Sequence, residues 1–271
     1  MRYFDTAPHY GLGLSEIRLG RALAGVPRGE LVLSTKVGRV LERNPHPTGS
    51  DLETGGFDVP DTLRRRWDFS ADGVRASLEQ SLERLRLDRV DIVYVHDPDD
   101  HVDQAIDEAI PALVELREQG VVGAVGVGMN QWEAPLRMVE ETDLDIVMLA
   151  GRWTLLDRSS QPLLDACTAG GVAVVAAAPY NSGLLAHHRP APGARFDYLP
   201  ASGDLLRRVH VLADVCERWE VSLPDAAVQH PLRHPAVASV VAGLRDPDQA
   251  RQLVARYAAT VPAEAWAELD G

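Results

Sequence analysis

Residues 91–96, DIVYVH, form a short run that is mostly apolar and does not alternate between apolar and polar positions. Continuous runs of this length are typical of strands buried on both faces, as in a parallel sheet. Six similar runs, β-branched or rich in Ala, lie at residues 3–7, 31–37, 124–128, 146–150, 172–178 and 237–242. The sequence therefore predicts seven buried strands.

Amphipathic helical patterns separate these runs. A stripe of apolar residues predicts a helix over 70–87 with Ser70 as its N-cap, and a second helix over 102–118 that stops at Gly120. Asp246 and Pro247 begin a third, with a capping carboxylate and Pro in the first turn. Weaker patterns cover 15–24, 131–140, 160–168, 204–219 and 224–232. Strands alternating with helices indicate parallel crossovers, and 271 residues suit a single α/β barrel domain over 1–271.

Composition excludes several classes of function. The chain carries 40 acidic and 27 basic side chains, and a net charge of −13 disfavours nucleic-acid binding. No window approaches the ~20 apolar residues of a membrane span, and the start MRYFDTAPHYG does not resemble a signal peptide. We therefore expect a cytoplasmic protein with no nucleic-acid or membrane partner. The sequence does not predict an oligomeric state. Cys167 and Cys216 lack metal or disulfide spacing and are expected to be buried thiols.

Two connections between predicted elements are unusually long. Residues 38–69 and residues 181–203 each follow the carboxyl end of a predicted strand, which is where barrel enzymes place their sites. Loops of this length are usually covers over an active site or disordered segments. We expect one of these two roles for each.

Polar side chains follow three of the predicted strands. Asp5 and Tyr10 come at or after the end of the first strand, Lys36 ends the second, and His96 ends the third. In a barrel these ends converge, and the set suits proton transfer to or from an alcohol or carbonyl oxygen. A lysine ammonium would lower the pKa of a tyrosine from its usual ~10, and an aspartate would hold the lysine. Singly, each residue also has a structural explanation: a capped turn, a buried ion pair, a core histidine or a loop anchor.

Three motifs carry a resemblance to a known family. They are residues 4–11 (FDTAPHYG), 34–38 (STKVG) and 95–99 (VHDPD), and with them the chain resembles the aldo-keto reductases over essentially its whole length. Residues 126–130, 149–156 and 231–241 resemble the bacterial branch of aldose 1-dehydrogenases, which includes the L-fucose and D-threo-aldose enzymes.

The resemblance implies a (β/α)8 TIM-type barrel that binds NAD or NADP without a Rossmann domain. Residues 96–101 (HDPDDH) could be drawn as a metal cluster, but Pro98 disrupts a regular ligand face, so we expect no metal. The resemblance implies that Tyr10 is the general acid and base, assisted by Lys36 and Asp5, while His96 orients the reacting oxygen. The implied reaction oxidises an aldose of the L-fucose, L-galactose or D-arabinose type at C1 to the lactone.

The resemblance also implies positions that contact the cofactor. Asn130 would contact the nicotinamide amide, and the other implied positions are Tyr180, Asn181, Ser182, Gly183, Leu184, Gly243, Arg245 and Gln249. Arg245 either meets a 2′-phosphate, which favours NADP, or is a surface charge. Trp67 and Trp153 are candidates for the substrate pocket, with ordinary packing of large aromatic side chains as the alternative.

Two alternatives to aldose oxidation stay open. Within the same class of enzyme, the alternatives are pyridoxal 4-dehydrogenase activity and general aldehyde or ketone reduction. In a different class, the chain is a truncated, non-catalytic cofactor-binding paralogue. That hypothesis arises because the family normally has a strand and a helix before the strand at 3–7. On this expectation the first β–α unit is absent, and a chain extended upstream would be more stable.

Overall fold

The computed structural model describes residues 1–197 and 199–271. The chain forms two compact units. Unit 1 comprises Met1–Met129 and Ala134–Val147, and unit 2 comprises Asn130–Glu133 and Met148–Gly271.

Parallel strands form the centre of unit 1. The strands of this unit are β1 (Tyr3–Asp5), β2 (Val32–Val37), β3 (Arg39–Arg43), β4 (Leu63–Trp67), β5 (Val90–His96) and β6 (Val122–Met129). Neighbours in the sheet follow the order β1, β2, β5, β6, and every pair in this series is parallel. The register sets Asp5 opposite Ser34, Lys36 opposite Tyr94 and His96 opposite Gly128. The apolar runs thus predicted β1, β2, β5 and β6 correctly, and the parallel register brings the carboxyl ends of these four strands to one edge.

Helices connect the parallel strands of unit 1. They are α1 (Leu14–Ala22), α2 (Leu52–Gly55), α3 (Ala71–Leu85), α4 (Val102–Gln104), a π-helical turn (Ala105–Ala109), α5 (Ile110–Glu118) and α6 (Glu133–Glu141), whose first residue lies in unit 2. As predicted, the Ser70 hydroxyl caps α3 by accepting a hydrogen bond from the Gly73 N–H. Gly120, at φ +77°, follows α5 in the left-handed conformation that terminates helices.

The connection at 38–69 is an ordered hairpin, which corrects the expectation of a loop. Strands β3 and β4 pair antiparallel, with Arg39 opposite Trp67 and Arg43 opposite Leu63. Between them, the Asp61 carboxylate accepts hydrogen bonds from the backbone N–H groups of Thr48 and Gly49. These contacts satisfy backbone donors that a loop would leave to water, so the insertion has a defined conformation.

Unit 2 contains further parallel strands. It contains the end of β7 (Ile146–Ala150), β8 (Ala173–Ala177) and β11 (Val237–Val241), and β8 pairs parallel with β11. Its helices are α7 (Gln161–Gly170), α8 (Gly203–Arg218), α9 (Leu223–Gln229), α10 (Pro247–Ala258) and α11 (Ala263–Asp270). The connection at 181–203 also contains structure that was not predicted, the short antiparallel pair β9 (Arg195–Phe196) and β10 (Leu199–Pro200). Helix α11 was likewise missed.

Buried apolar side chains stabilise each unit. In unit 1, Val93 and Val95 of β5 are fully buried, together with Leu113 of α5. In unit 2, helices α8 and α9 pack into a cluster that includes Val209, Leu223 and the free thiol of Cys216. Across residues 1–197 and 199–271, no helix has the length and apolar character needed to cross a membrane.

Close packing of α1 on α3 depends on Gly20. A Cβ built there would lie 2.5 Å from the Leu85 carbonyl oxygen, and backbone cannot move aside as a flexible side chain can. We predict that Gly20→Ala lowers the free energy of unfolding by about 1–3 kcal/mol, measured by denaturant titration. Gly29→Ala is the matched control, since a Cβ there meets nothing within 4 Å. Equal effects of the two substitutions would contradict this account of the packing.

Candidate active site

A buried ion pair joins the ends of β1 and β2. Lys36 is 2% exposed, and its Nζ donates hydrogen bonds to Asp5 Oδ2 at 2.5 Å and to the Thr6 carbonyl oxygen at 3.0 Å. Burial alone would lower the pKa of Lys36. The Asp5 carboxylate and Tyr10 together have a larger effect and raise this pKa. Lys36 therefore carries a fixed positive charge at this position.

A chain of hydroxyl groups holds the Asp5 carboxylate. Asp5 Oδ1 accepts a hydrogen bond from Ser34 Oγ at 2.5 Å, and the Tyr3 hydroxyl lies 3.0 Å from Ser34 Oγ. The Tyr94 hydroxyl in turn lies 3.0 Å from the Tyr3 hydroxyl. Because one carboxylate oxygen is occupied by Ser34 and the other by Lys36, the ion pair has one well-defined geometry.

Tyr10 lies beside the ammonium, in the turn that follows β1. The Lys36 Nζ is 4.7 Å from the centroid of the Tyr10 ring, and the Tyr10 N–H donates to the Ala7 carbonyl oxygen at 3.1 Å. Burial raises the pKa of Tyr10, with a further increase from Asp5, and Lys36 only partly opposes this. The net direction differs from the lowered pKa predicted from the sequence, because burial outweighs the ammonium. Tyr10 is thus a neutral phenol at neutral pH.

The neutral imidazole of His96 lies next to the Tyr10 ring. Its ring centroid is 5.9 Å from that of Tyr10, with the planes at 83°. Burial, followed by the positive charges of Lys36 and Arg39, holds the pKa of His96 well below its usual range. Its Nδ1 is buried and has no hydrogen-bond partner within the described part of the chain. The structure therefore brings Asp5, Lys36, Tyr10 and His96 together, and leaves Nδ1 of His96 without a hydrogen bond among the described residues.

A second ion pair, not predicted from the sequence, supports His96. Arg39 Nη2 donates to Asp97 Oδ2 at 2.6 Å, and the same oxygen is 3.5 Å from His96 Nε2. Asp97 has φ +44°, and its N–H donates to the Gly128 carbonyl oxygen at 3.0 Å. Arg39 and Asp97 lie 58 positions apart, so no local spacing signals the pair.

The hairpin insertion is tied to the residue before Tyr10 by a third pair. Arg65 and Asp51 are 6% and 4% exposed, with two hydrogen bonds at 2.7 and 2.6 Å. Arg65 Nη2 also donates to the His9 carbonyl oxygen at 2.9 Å. Alternation along β4 is the signal that could have revealed this contact, since Arg65 faces inward between the exposed Arg64 and Arg66.

A cavity of about 1020 Å³ lies in unit 2. Most of the predicted cofactor positions line it: Tyr180, Asn181, Ser182, Gly183, Gly243, Arg245 and Gln249. Leu184 does not, which corrects its predicted role, because its side chain is 1% exposed and packs in the apolar core of unit 2. Gly183, just before Leu184, has φ +90°, in the left-handed region that favours glycine.

The lining of this cavity suits a nucleotide with phosphate groups. Arg245 and Arg256 contribute positive charge to the lining, and Arg245 lies just before α10, which begins at Pro247. The Tyr180 hydroxyl is buried and unpaired within the residues described. Gln249 orders the segment by accepting from the Arg245 N–H through Oε1, while its own N–H donates to Asp246 Oδ1. The arginine side chains and the unpaired hydroxyl together fit the phosphate groups of a dinucleotide.

The remaining predicted site residues lie outside this lining. Asn130 follows β6, and its carbonyl oxygen accepts from Arg152 Nε at 2.9 Å. Trp67 of β4 is 51% exposed in unit 1, with the Arg39 guanidinium 5.7 Å from its ring. Trp153 belongs to unit 2, where its ring packs 5.3 Å from His234.

Comparison with known proteins identifies the family. The family model "Aldo/keto reductase family" matches residues 1–271. The chain belongs to the aldo/keto reductase family. This reductase is 47% identical to a D-threo-aldose 1-dehydrogenase from a Pseudomonas species, over 99% of this chain and 83% of the relative. It is 38% identical to a pyridoxal 4-dehydrogenase from Microbacterium luteolum, over 99% and 83% of the two chains.

A solved structure shows the same fold. An aldo-keto reductase from Bacillus halodurans, in its holo form, matches 100% of this reductase and 82% of its own chain, with 27% identity and a TM-score of 0.77. The protein therefore has the aldo-keto reductase fold and is an NAD(P)-dependent oxidoreductase.

The state of Tyr10 can be measured directly. Because burial raises the pKa of Tyr10, we predict that its tyrosinate absorbance emerges above the ordinary tyrosine range, and later still in Lys36→Met, where the opposing ammonium is lost. Subtracting the titration of Tyr10→Phe from that of the wild type isolates the signal. A Tyr10 step below about pH 9 in the wild type would contradict this assignment.

Proposed function

We propose that this reductase oxidises an aldose of the L-fucose, L-galactose or D-arabinose type at C1, giving the lactone. The observation that carries the proposal is the Asp5–Lys36 ion pair held against Tyr10, with neutral His96 beside it. The relative named for a D-threo-aldose supports the substrate class. Oxidation of a cyclic aldose requires that one proton and one hydride leave the C1–OH group and its carbon. These side chains are suited to accept the proton.

Tyr10 and Lys36 act on the proton of the C1 hydroxyl. Because its pKa is raised, only a minor fraction of Tyr10 is phenolate at neutral pH, and it is this form that accepts the proton. The O–H electron pair then becomes the second bond of the new C1 carbonyl. The Lys36 ammonium stabilises the phenolate, while Asp5 keeps the ammonium in place. His96, being neutral, hydrogen-bonds the reacting oxygen without adding a charge. The chemistry that a bound NAD(P) supplies is acceptance of the hydride from C1.

In unit 2, we propose that the lining of the cavity holds the nucleotide. Residues 180–183 and Gly243 approach the phosphates, and Gln249 fixes the segment that precedes α10. Arg245 is the side chain we assign to a 2′-phosphate, so it sets any preference for NADP over NAD. Its location at the start of α10, with Arg256 in the same lining, supports this choice.

Oxidation of pyridoxal is the second candidate. The relative named pyridoxal 4-dehydrogenase aligns with 99% of this chain and supports it. In this reaction Tyr10 and Lys36 would have the same roles, and the difference lies in what surrounds the reacting carbon.

A substrate panel with Tyr10→Phe tests the proposed reaction. Wild-type protein should oxidise the aldoses with NAD or NADP, followed by absorbance of the reduced cofactor, with lactone identified by NMR. Tyr10→Phe should lose about 10²–10⁴-fold in kcat, because the general base is gone. Tyr257→Phe, at a tyrosine that is 62% exposed, is the matched control and should retain activity. Oxidation of pyridoxal without any aldose would reject the sugar substrate.

Arg245→Ala tests the cofactor assignment. We expect the ratio of kcat/KM for NADP to that for NAD to fall by about 10-fold or more, since one charge-assisted contact to phosphate is removed. Arg251→Ala, on the exposed face of α10 where Arg251 pairs with Asp248, should leave the ratio unchanged. An unchanged ratio in Arg245→Ala would show that Arg245 is a surface charge.

A further inference from the structure

Three rings, those of His9, Tyr10 and His96, form a triangle at the candidate active site. The His9 ring centroid is 5.9 Å from that of Tyr10 and 5.7 Å from that of His96, and Tyr10 and His96 are themselves 5.9 Å apart. Each pair is tilted or edge-to-face, so no ring stacks flat on another and covers its face. The proton-transfer chemistry proposed above uses Tyr10 and His96 and leaves His9 without a role.

The position of His9 is fixed from several directions. Its carbonyl oxygen accepts the hydrogen bond from Arg65, which is itself held by the buried Asp51 carboxylate. The Phe57 ring packs edge-on against the His9 ring at 5.3 Å. Holding the backbone and the ring in this way lowers the entropy lost when His9 binds a ligand.

The chemistry of His9 suits a hydroxyl group. Burial, with Arg39 and Arg65 nearby, lowers the pKa of His9 to about 3, so the ring is neutral at physiological pH. Its Nδ1 is buried and lacks a hydrogen-bond partner among residues 1–197 and 199–271. One nitrogen of a neutral imidazole donates and the other accepts, so Nδ1 can form one hydrogen bond with the O–H of an alcohol in either tautomer. A buried polar atom without a partner costs free energy that such a ligand would recover.

We infer that His9 binds the hydroxyl on the carbon next to the reacting carbon, and so selects substrates that carry a vicinal hydroxyl. The inference rests on the proposed function, in which Tyr10 and His96 take the reacting oxygen. A vicinal oxygen is the nearest polar atom of such a substrate, and the His9 ring lies within 6 Å of both Tyr10 and His96, at 5.9 and 5.7 Å. The selected class comprises cyclic aldoses with a C2 hydroxyl and open-chain 2-hydroxyaldehydes.

Two matched substrate pairs test this selection. The first pair is L-fucose and 2-deoxy-L-fucose, measured by oxidation. The second is lactaldehyde and propanal, measured by reduction. For wild-type protein we expect the hydroxylated member to have a kcat/KM higher by about 5–150-fold, the range of one buried hydrogen bond whose loss leaves a polar group unpaired.

His9→Phe keeps a ring but removes both nitrogens. We expect the preference for the hydroxylated member to fall to within about 3-fold of unity, because no hydrogen bond remains to be lost. His9→Asn restores a donor and an acceptor and should recover part of the preference. His46→Phe, at an exposed histidine of the hairpin insertion, is the control and should keep the wild-type ratio. Thermal midpoints establish that each variant is folded.

The results distinguish a failure of the role of His9 from a failure of aldose oxidation. Equal losses on both members of a pair in His9→Phe would make His9 a structural residue and overturn the inference, as would a wild-type ratio near one. If lactaldehyde and propanal react but neither sugar does, aldose oxidation is rejected while the second pair still decides the role of His9. If none of the four compounds is turned over, both proposals are contradicted.

Discussion

The contact between Lys36 and Asp5 is the interaction on which the candidate site depends. Burying an ammonium and a carboxylate is costly unless each is paired and hydrogen-bonded, and both conditions are met here by Ser34, Thr6 and the parallel register of β1 and β2. The pair therefore requires the strand ends to meet, and the strand ends place Tyr10 against the ammonium. The pairing of β1 with β2 therefore also fixes the position of the Lys36 ammonium beside Tyr10.

Burial has opposite consequences for the neighbouring groups. It raises the pKa of Tyr10 and lowers those of His9 and His96, so all three rings are neutral while Lys36 remains charged. Among the described residues near the rings, Lys36, Arg39 and Arg65 are each paired with a carboxylate, in Lys36–Asp5, Arg39–Asp97 and Arg65–Asp51. This pairing supports the proposal of a neutral substrate, because each of these cations already has an anionic partner.

The sequence predicted the elements whose signal is local, and missed those that depend on distant partners. Runs such as residues 91–96 are apolar because β5 is covered on both faces, and the Ser70 cap is visible in its own turn. The β3–β4 hairpin was missed because its charged side chains resemble a solvated loop, although Arg65 is buried by Asp51. Likewise, the motifs located Lys36 and Tyr10, but the raised pKa of Tyr10 follows from burial, which no spacing encodes. Leu184 lies in a segment whose preceding residues line the cavity of unit 2, and yet its side chain packs in the core.

The central claim is that Lys36 acts through Tyr10, and a double-mutant cycle on kcat/KM tests it most directly. Tyr10→Phe, Lys36→Met and the double variant are compared with wild type on one aldose and one cofactor, with thermal midpoints recorded for all four. If the ammonium serves the phenolate, then Lys36→Met should be costly in the wild type and nearly without further effect once Tyr10 is Phe. Two effects that multiply in the double variant would show that Lys36 and Tyr10 act independently, and would contradict the account.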